Sequence, residues 1–384
     1  MTTITSEEFE LLQRSDVAEA IRHSIRRSPI DIALDRNIPA ARLVATQVKY
    51  LQRAMQKLPH YAATWCILPS LAFEQSSSEK CAAHKSLTGH KVLDLTCGLG
   101  VDAWYLSRQF DKVTTIERDP LLAAVARENF RRLGAENIEV IHADSEDYVA
   151  HCTETFDWIY ADPDRRSARG EKLVRLEDCS PDMVRLMPRL RELAPRICIK
   201  NSPLFDIDEP RRLFGKCRVE VVSLGDECKE VMIYLGEDQA DIVASAIGRG
   251  QFSAPAQRDP LPLPERFATE EYRYLIVADV ALQKARLSRL HLAGKADIWS
   301  DNGFGFAREE PHDVLGRVFE IASIQVYDPK ALKREMRGRG VEIFKRDLPM
   351  RIEDVMRRAC CHPGNEIRIA MTKIEDKYWV IHLK

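Results

Sequence analysis

Apolar positions recur at helical spacing through the first sixty residues and then change to short continuous runs. Phe9, Leu12, Val17, Ala20 and Ile21 fit one helical face, opened by the cap-like Ser6-Glu7-Glu8. Ile38-Pro39-Ala40 opens a second helix, with Val44, Val48, Leu51, Met55 and Leu58 at three- and four-residue steps and Arg42, Lys49, Arg53 and Lys57 between them. That pattern predicts an amphipathic helix packed on a core with its charges solvated. A basic side that helps to hold a polyanion is the sharper alternative. From Lys91 the period shortens. Val92, Leu93 and Leu95 read as a buried strand, and further strands are expected at 112–117, 138–141, 156–160 and 196–200. Helix-like sequence separates them at 121–133, 145–150 and 181–193. Strand–helix alternation predicts a parallel sheet with its ligand at the strand C-termini.

The runs 217–224 and 230–235 flank Gly225-Asp226-Glu227-Cys228-Lys229 and predict a closing hairpin. Residues 248–264, rich in Gly, Pro, Ser and Gln, predict a linker. Beyond it, strands are expected at 274–277, 319–326, 341–344, 366–371 and 377–382, with helices at 281–292, 329–336 and 352–359. The expected organisation is an N-terminal helical segment over 1–80, an α/β domain over 81–240, a linker over 241–265 and an α+β region over 266–384.

Composition narrows this little. The chain has 384 residues, enough for two or three domains, and a net charge of −2, so its overall field carries no argument for nucleic acid. The ten cysteines are scattered without a C-x-x-C pair, and adjacent Cys360-Cys361 suits neither a disulfide nor a zinc site. They are read as reduced thiols of a cytoplasmic protein, and no metal is expected. The polar start Met1-Thr2-Thr3-Ile4-Thr5-Ser6 is unlike a signal peptide, and no apolar run reaches membrane-spanning length.

The chemistry concentrates after the first strand. Asp94-Leu95-Thr96-Cys97-Gly98-Leu99-Gly100-Val101-Asp102 ends that strand in an acid, turns on two glycines and starts a helix at Ala103. Such a turn brings backbone close to a ligand. Gly98-x-Gly100-x-x-Ala103 formally fits a dinucleotide fingerprint. A pyrophosphate at the helix start would be repelled by Asp94, however, whereas a ligand with a cationic amino group and no phosphate suits it. S-adenosylmethionine, with adenosine, a sulfonium and an amino-acid tail, is that ligand. Glu117 lies 19 residues after Gly98, where a carboxylate can take both ribose hydroxyls. Asp144 follows the third strand and could accept from an adenine amino group, and Asp162 follows the fourth. Each acid alone is more often an ordinary helix cap. Four in register with one glycine turn point to a site.

These residues resemble the class I S-adenosylmethionine-dependent methyltransferases, with their Rossmann-like sheet. The narrower resemblance is to the bacterial RNA methyltransferase branch with a C-terminal α+β region that is ferredoxin-like and THUMP-like. It is carried by Glu74-Gln75-Ser76-Ser77-Ser78-Glu79, the Asp94–Asp102 turn, Asp162-Pro163-Asp164-Arg165-Arg166, Glu227-Cys228-Lys229-Glu230 and Phe344-Lys345-Arg346-Asp347-Leu348-Pro349. The resemblance implies that Gln75 and Ser76 fold over the methionine end of the donor. It also implies a donor site of Asp94, Thr96, Gly98, Gly100, Asp102, Glu117, Asp144 and Asp162. Asp162 and Asp164 would serve catalysis at the acceptor. Methylation of exocyclic amines on bases often uses Asp/Asn-Pro-Pro followed by an aromatic residue. Here Asp164 and Arg165 stand in the last two places, which speaks against that acceptor. Arg165, Arg166 and Arg169, with Lys345 and Arg346 in a locally basic last lobe, are the expected RNA contacts.

The expected function is a methyltransferase acting on tRNA or rRNA. A small-molecule or protein methyltransferase, and an RNA-binding protein with a vestigial donor site, stay open. An NAD enzyme is opposed by Asp94.

Overall fold

The computed structural model describes residues 4–164, 175–237 and 241–384. It divides into two compact units, Met1–Arg218 with Val231–Gln239, and Val219–Glu230 with Ala240–Lys384. Among the described residues, no helix is long and apolar enough to cross a membrane.

The first unit begins with helices α1 (Ser6–Gln13), α2 (Ser15–Ser24), α3 (Pro29–Leu34), α4 (Ala41–Lys57), α5 (Pro59–Ala63), α6 (Ser70–Gln75) and α7 (Glu79–His84). A reciprocal cap starts α1, with the Thr5 hydroxyl accepting from Glu8 N–H and the Glu8 carboxylate accepting from Thr5 N–H. On α4, Val44, Val48 and Leu51 are buried as their spacing predicts, and Ala54 continues the stripe. Met55 is exposed instead, because it lies one residue, about 100° around the helix, past Ala54. Two of the intervening cations are tied to α6. Arg53 pairs with Glu74, and Lys57 Nζ donates to the Phe73 carbonyl at 2.6 Å. That favours the packed amphipathic helix over the polyanion-binding one.

The sheet follows as β1 (Gly89–Asp94), α8 (Val101–Leu106), β2 (Phe110–Glu117), α9 (Pro120–Leu133), β3 (Ile138–His142), α10 (Ser145–His151), β4 (Trp158–Ala161), α11 (Met183–Leu193), β5 (Arg196–Asn201), α12 (Glu209–Phe214), β6 (Arg218–Leu224) and β7 (Glu227–Leu235). Within the first unit the strand order is β3-β2-β1-β4-β5-β7. The first five are parallel, and β7 closes antiparallel on β5 with Val231 opposite Asn201. Register sets the active edge. Asp94 pairs with Thr115 on one side and Tyr160 on the other, and Glu117 lies opposite His142. The strand C-termini therefore finish together. Val92, Leu93, Val113, Ile116, Ile159, Ile197 and Ile199 are buried, as strands covered on both faces require. Buried Asn129 on α9 pins the preceding segment, accepting from Ile67 N–H at 2.7 Å and donating to Ile67 O at 2.9 Å.

In the second unit, β6 pairs parallel with β8 (Asp241–Ile247), and β8 antiparallel with β9 (Gly250–Pro255). Part of the expected linker is thus a hairpin. Ile242, Ala244 and Ala246 are buried on it, and Gly248 supplies the positive φ of its tight turn rather than a break in structure. Residues 256–273 lack helix and strand. Next come β10 (Tyr274–Ala278), α13 (Val280–Lys284), α14 (Ser288–Leu292), β11 (Gly305–Ala307), β12 (Gly316–Val326), α15 (Pro329–Met336), β13 (Gly340–Lys345), α16 (Ile352–Ala359), β14 (His362–Pro363), β15 (Ile367–Ile374) and β16 (Lys377–Leu383). The helix expected over 281–292 is divided at Arg286, whose φ is +55°. The sheet order is β11-β10-β12-β16-β15-β13-β14. One core gathers Phe267, Tyr272, Phe304 and Phe306, with Trp299 packed against it. A second holds Leu332, Met336, Val355 and Ala359 of α15 and α16 against Ile343, Ile369, Met371 and Val380 of the sheet.

Candidate active site

The glycine turn sits between β1 and α8. Gly100 has φ +82°, and an added Cβ there would collide with the Phe130 ring. Gly98 has φ +54° and open space around it. The direction of its N–H decides what the turn can hold. Gly98 N–H donates to Glu117 Oε2 at 2.9 Å, and Asp119 N–H donates to Oε1 at 2.9 Å. The N–H that a phosphate would need is already spent on a carboxylate. Burial raises the Glu117 carboxyl above its usual range, and these two N–H groups oppose that shift.

Asp94 is buried. Its Oδ2 accepts from the Thr115 hydroxyl at 2.7 Å, and its Oδ1 accepts from Thr96 N–H at 2.9 Å. Burial pushes its carboxyl up to about 7 against those hydrogen bonds. The Thr96 hydroxyl accepts in turn from Asp162 N–H at 2.7 Å, which joins the glycine turn to the loop after β4. Asp144 caps α10, with Oδ1 accepting from Glu146 and Asp147 N–H and Oδ2 without a partner among the described residues.

Asp102, on the first turn of α8, is the centre of a buried charge cluster. Lys85 Nζ lies 2.8 Å from its Oδ1, while its Oδ2 accepts from the Ser77 hydroxyl at 3.0 Å and the Tyr160 hydroxyl at 2.9 Å. Lys200 Nζ is 3.5 Å from the same oxygen. Burial alone would raise this carboxyl, but Lys85 and Lys200 hold it well below the usual range. Lys200 Nζ also donates to Ser77 Oγ at 2.8 Å and lies 2.5 Å from Asp162 Oδ2.

Structure thus brings Asp94, Thr96, Gly98, Gly100, Asp102, Glu117 and Asp162 into one hydrogen-bonded neighbourhood. Gln75 is exposed at the end of α6, and Ser76 closes that helix by donating to Phe73 O at 2.9 Å, so the inward serine of this segment is Ser77. Asp164 pairs its backbone with Ser180 and its carboxylate lies 3.7 Å from Arg118. Arg165, Arg166 and Arg169 lie outside the described residues. In the second unit, Lys345 Nζ donates to Met350 O at 2.8 Å. Arg346 is half-buried over the Phe304 ring, where desolvation lowers its pKa.

Residues 92–168 match the methyltransferase domain family, and residues 316–384 match the THUMP domain-like family. An uncharacterized S-adenosylmethionine-dependent methyltransferase of Mycobacterium tuberculosis is 22% identical over 346 residues, covering 84% of this chain and 90% of that protein. Ribosomal RNA small subunit methyltransferase J of Alteromonas mediterranea is 33% identical over 139 residues, which span 32% of this chain and 54% of that protein. A crystallised Porphyromonas gingivalis protein of methyltransferase type shares the fold over 100% of this chain and 99% of its own, at a TM-score of 0.81 and 24% identity.

The chain is an S-adenosylmethionine-dependent methyltransferase. Its residues fit that donor on physical grounds. The edge carries Asp94 and Glu117 at the turn and Asp144 at the start of α10, while Lys85 and Lys200 are drawn to Asp102 and Asp162. An edge of that sign suits a sulfonium and an ammonium and opposes a pyrophosphate. Sequence reasoning missed four of the methyltransferase's buried polar groups, Ser77, Lys85, Tyr160 and Lys200. A signal for one was present. Lys200 closes the otherwise apolar run Ile197-Cys198-Ile199, where a cation has to find buried partners.

Proposed function

We propose that this methyltransferase acts on RNA. The observation that carries the reading is the exposed cation set on α15, at its C-terminal end and on α16. Lys330, Lys333, Arg334, Arg337 and Arg358 are exposed and make no ion pair among the described residues. Their neighbours Arg339, Arg351 and Arg357 are offset by Glu366 and Asp354. Exposed cations without acidic partners on two adjacent helices suit a phosphate backbone. The THUMP-like match and the ribosomal RNA methyltransferase relatives support the same class of acceptor.

On this reading, Asp94 faces the cationic amino-acid end of the donor, through Thr96 and the Gly98–Gly100 backbone. Glu117 takes the ribose hydroxyls, and the unpartnered oxygen of Asp144 takes the adenine amino group. The donor supplies an electrophilic methyl group. Asp162, with Asp164 beside it, accepts from an acceptor N–H or O–H and so aims the acceptor's lone pair at that methyl. The S–CH3 bond breaks as the new bond forms, S-adenosylhomocysteine leaves, and the acceptor proton passes to the carboxylate. Arg165, Arg166 and Arg169 follow in sequence and would meet the RNA backbone. Alignment of the two partners supplies most of the rate.

The test is methyl incorporation from labelled S-adenosylmethionine into RNA from cells lacking the gene, with RNA affinity measured across salt. The expected result is incorporation, with affinity falling steeply as salt rises. Affinity independent of salt, or incorporation only into protein, would overturn the RNA reading.

A further inference from the structure

Among the described residues, the Lys200 side chain touches three segments that converge on the reacting edge. It leaves β5 one residue before the strand ends. Its Nζ reaches Ser77 in the segment before α7, Asp102 on α8 and Asp162 in the loop after β4, at 2.8, 3.5 and 2.5 Å. A lysine ammonium has three N–H donors, enough to serve all three partners. Lys200 is itself only 10% exposed, whereas Asp162 is 34% exposed and is the end of the cluster that opens outward.

This arrangement constrains what each group can do. The Asp162 backbone is fixed by Thr96, but its carboxylate is not held by that bond. A partly exposed carboxylate rotates into water unless a partner holds it. The contact with Lys200 holds it against the same cluster that anchors Ser77 and Asp102. Lys200 faces Asp102 and Asp162, and Lys85 is the other cation of the cluster. A cation between two carboxylates stays charged and is a poor base. Its contribution is therefore geometric and electrostatic.

We propose that Lys200 is a positioning residue for methyl transfer. It fixes the Asp162 carboxylate at the acceptor side and ties it, through Asp102 and Ser77, to the segment that precedes the donor turn. The inference rests on the acceptor-side role given to Asp162, and the experiment separates the two.

The variants are Lys200→Met, Lys200→Arg, Asp162→Asn and the double variant Lys200→Met/Asp162→Asn. The readouts are S-adenosylmethionine affinity by calorimetry and turnover on RNA from cells lacking the gene. Lys200→Met should lose about a hundredfold in turnover, the scale of a misplacement near 1 Å, with donor affinity within about threefold of wild type. Lys200→Arg should restore part of the loss, because it keeps the charge. In the Asp162→Asn background, Lys200→Met should cost almost nothing more, since its effect runs through Asp162.

Full turnover in Asp162→Asn would remove the acceptor-side reading itself. Loss in Asp162→Asn with none in Lys200→Met would remove only Lys200. Additive losses, or donor affinity falling as far as turnover, would make Lys200 merely structural. If Lys200→Met does not fold, Lys200→Arg and its double variant with Asp162→Asn carry the same comparison. If wild type transfers nothing to RNA, crystal structures of wild type and Lys200→Met decide. Asp162 should leave its wild-type position in the variant, and an unmoved carboxylate overturns the proposal.

Discussion

The two units handle charge in opposite ways. In the first, Asp94, Asp102, Glu117 and Lys200 are buried or nearly so, and each is held by named partners within hydrogen-bonding distance. In the second, the cations of α15 and α16 stand in solvent, several without an ion pair among the described residues. Buried charges fix geometry, and their removal is felt as lost shape and lost donor binding or, at Lys200, as lost turnover. Exposed charges shape a field, and their removal is felt as a change in salt dependence.

The largest effect should come from the buried side. Glu117→Ala removes the carboxylate that holds Gly98 N–H and is assigned the ribose hydroxyls. Two charge-assisted hydrogen bonds of this kind are worth about 3–4 kcal/mol together, so calorimetry should show donor affinity reduced about 100- to 1000-fold in a folded protein. Gly100→Ala should come next. The added methyl meets the Phe130 ring at a φ that disfavours side chains, and denaturant unfolding should show a loss of about 2–4 kcal/mol.

Asp94 ties stability to binding with opposite signs. Its folded-state value of about 7 lies above the 3.8 of a free aspartate, so the native chain binds an extra proton between the two. Its stabilising contribution is complete below about pH 4 and is lost as pH rises through 7, by at most about 4 kcal/mol. Donor affinity should move the other way, because the ionised carboxylate attracts the cationic donor. Titrations between pH 6 and 8 should show tightening, at up to about tenfold per pH unit below 7. Asp94→Asn should flatten both curves. A flat donor affinity in wild type would break the pairing of this acid with the donor's charged end.

On the exposed side the effects shrink. Replacing Lys333 and Arg334 with Glu should leave donor binding and unfolding almost unchanged while lowering the salt slope of RNA affinity by about one per lost phosphate contact. Lys345→Ala should be smallest, because Lys345 donates to Met350 O within its own unit. A large loss of RNA affinity in Lys345→Ala, with none in the Lys333 and Arg334 variants, would reverse the assignment of the RNA-facing surface.

Legibility from sequence follows the same division. The parallel strands were readable because both faces are buried, which leaves short apolar runs such as Trp158-Ile159-Tyr160-Ala161 and Ile197-Cys198-Ile199 between helical patterns. The acids at their ends were readable because strand ends in a parallel sheet share one edge. What a carboxylate touches could not be read. Ser77, Lys85, Tyr160 and Lys200 come from four places in the chain, and only the fold brings them near Asp102. Residues 241–255 were misread because Gly248 looks the same in sequence whether it ends structure or turns a hairpin. Lys345 and Arg346 looked like solvent-facing cations because composition does not say which side of a sheet or loop a residue faces. Arg346 in fact lies over Phe304.

The central claim is that an acid-lined glycine turn, with its Gly98 N–H already committed to Glu117, takes a cationic donor and not a dinucleotide. The most direct test is calorimetric titration of the purified full chain with S-adenosylmethionine, beside an identical titration with NAD. The account predicts micromolar binding of the first and no heat from the second. Binding of NAD, or no binding of S-adenosylmethionine by the folded protein, would contradict it.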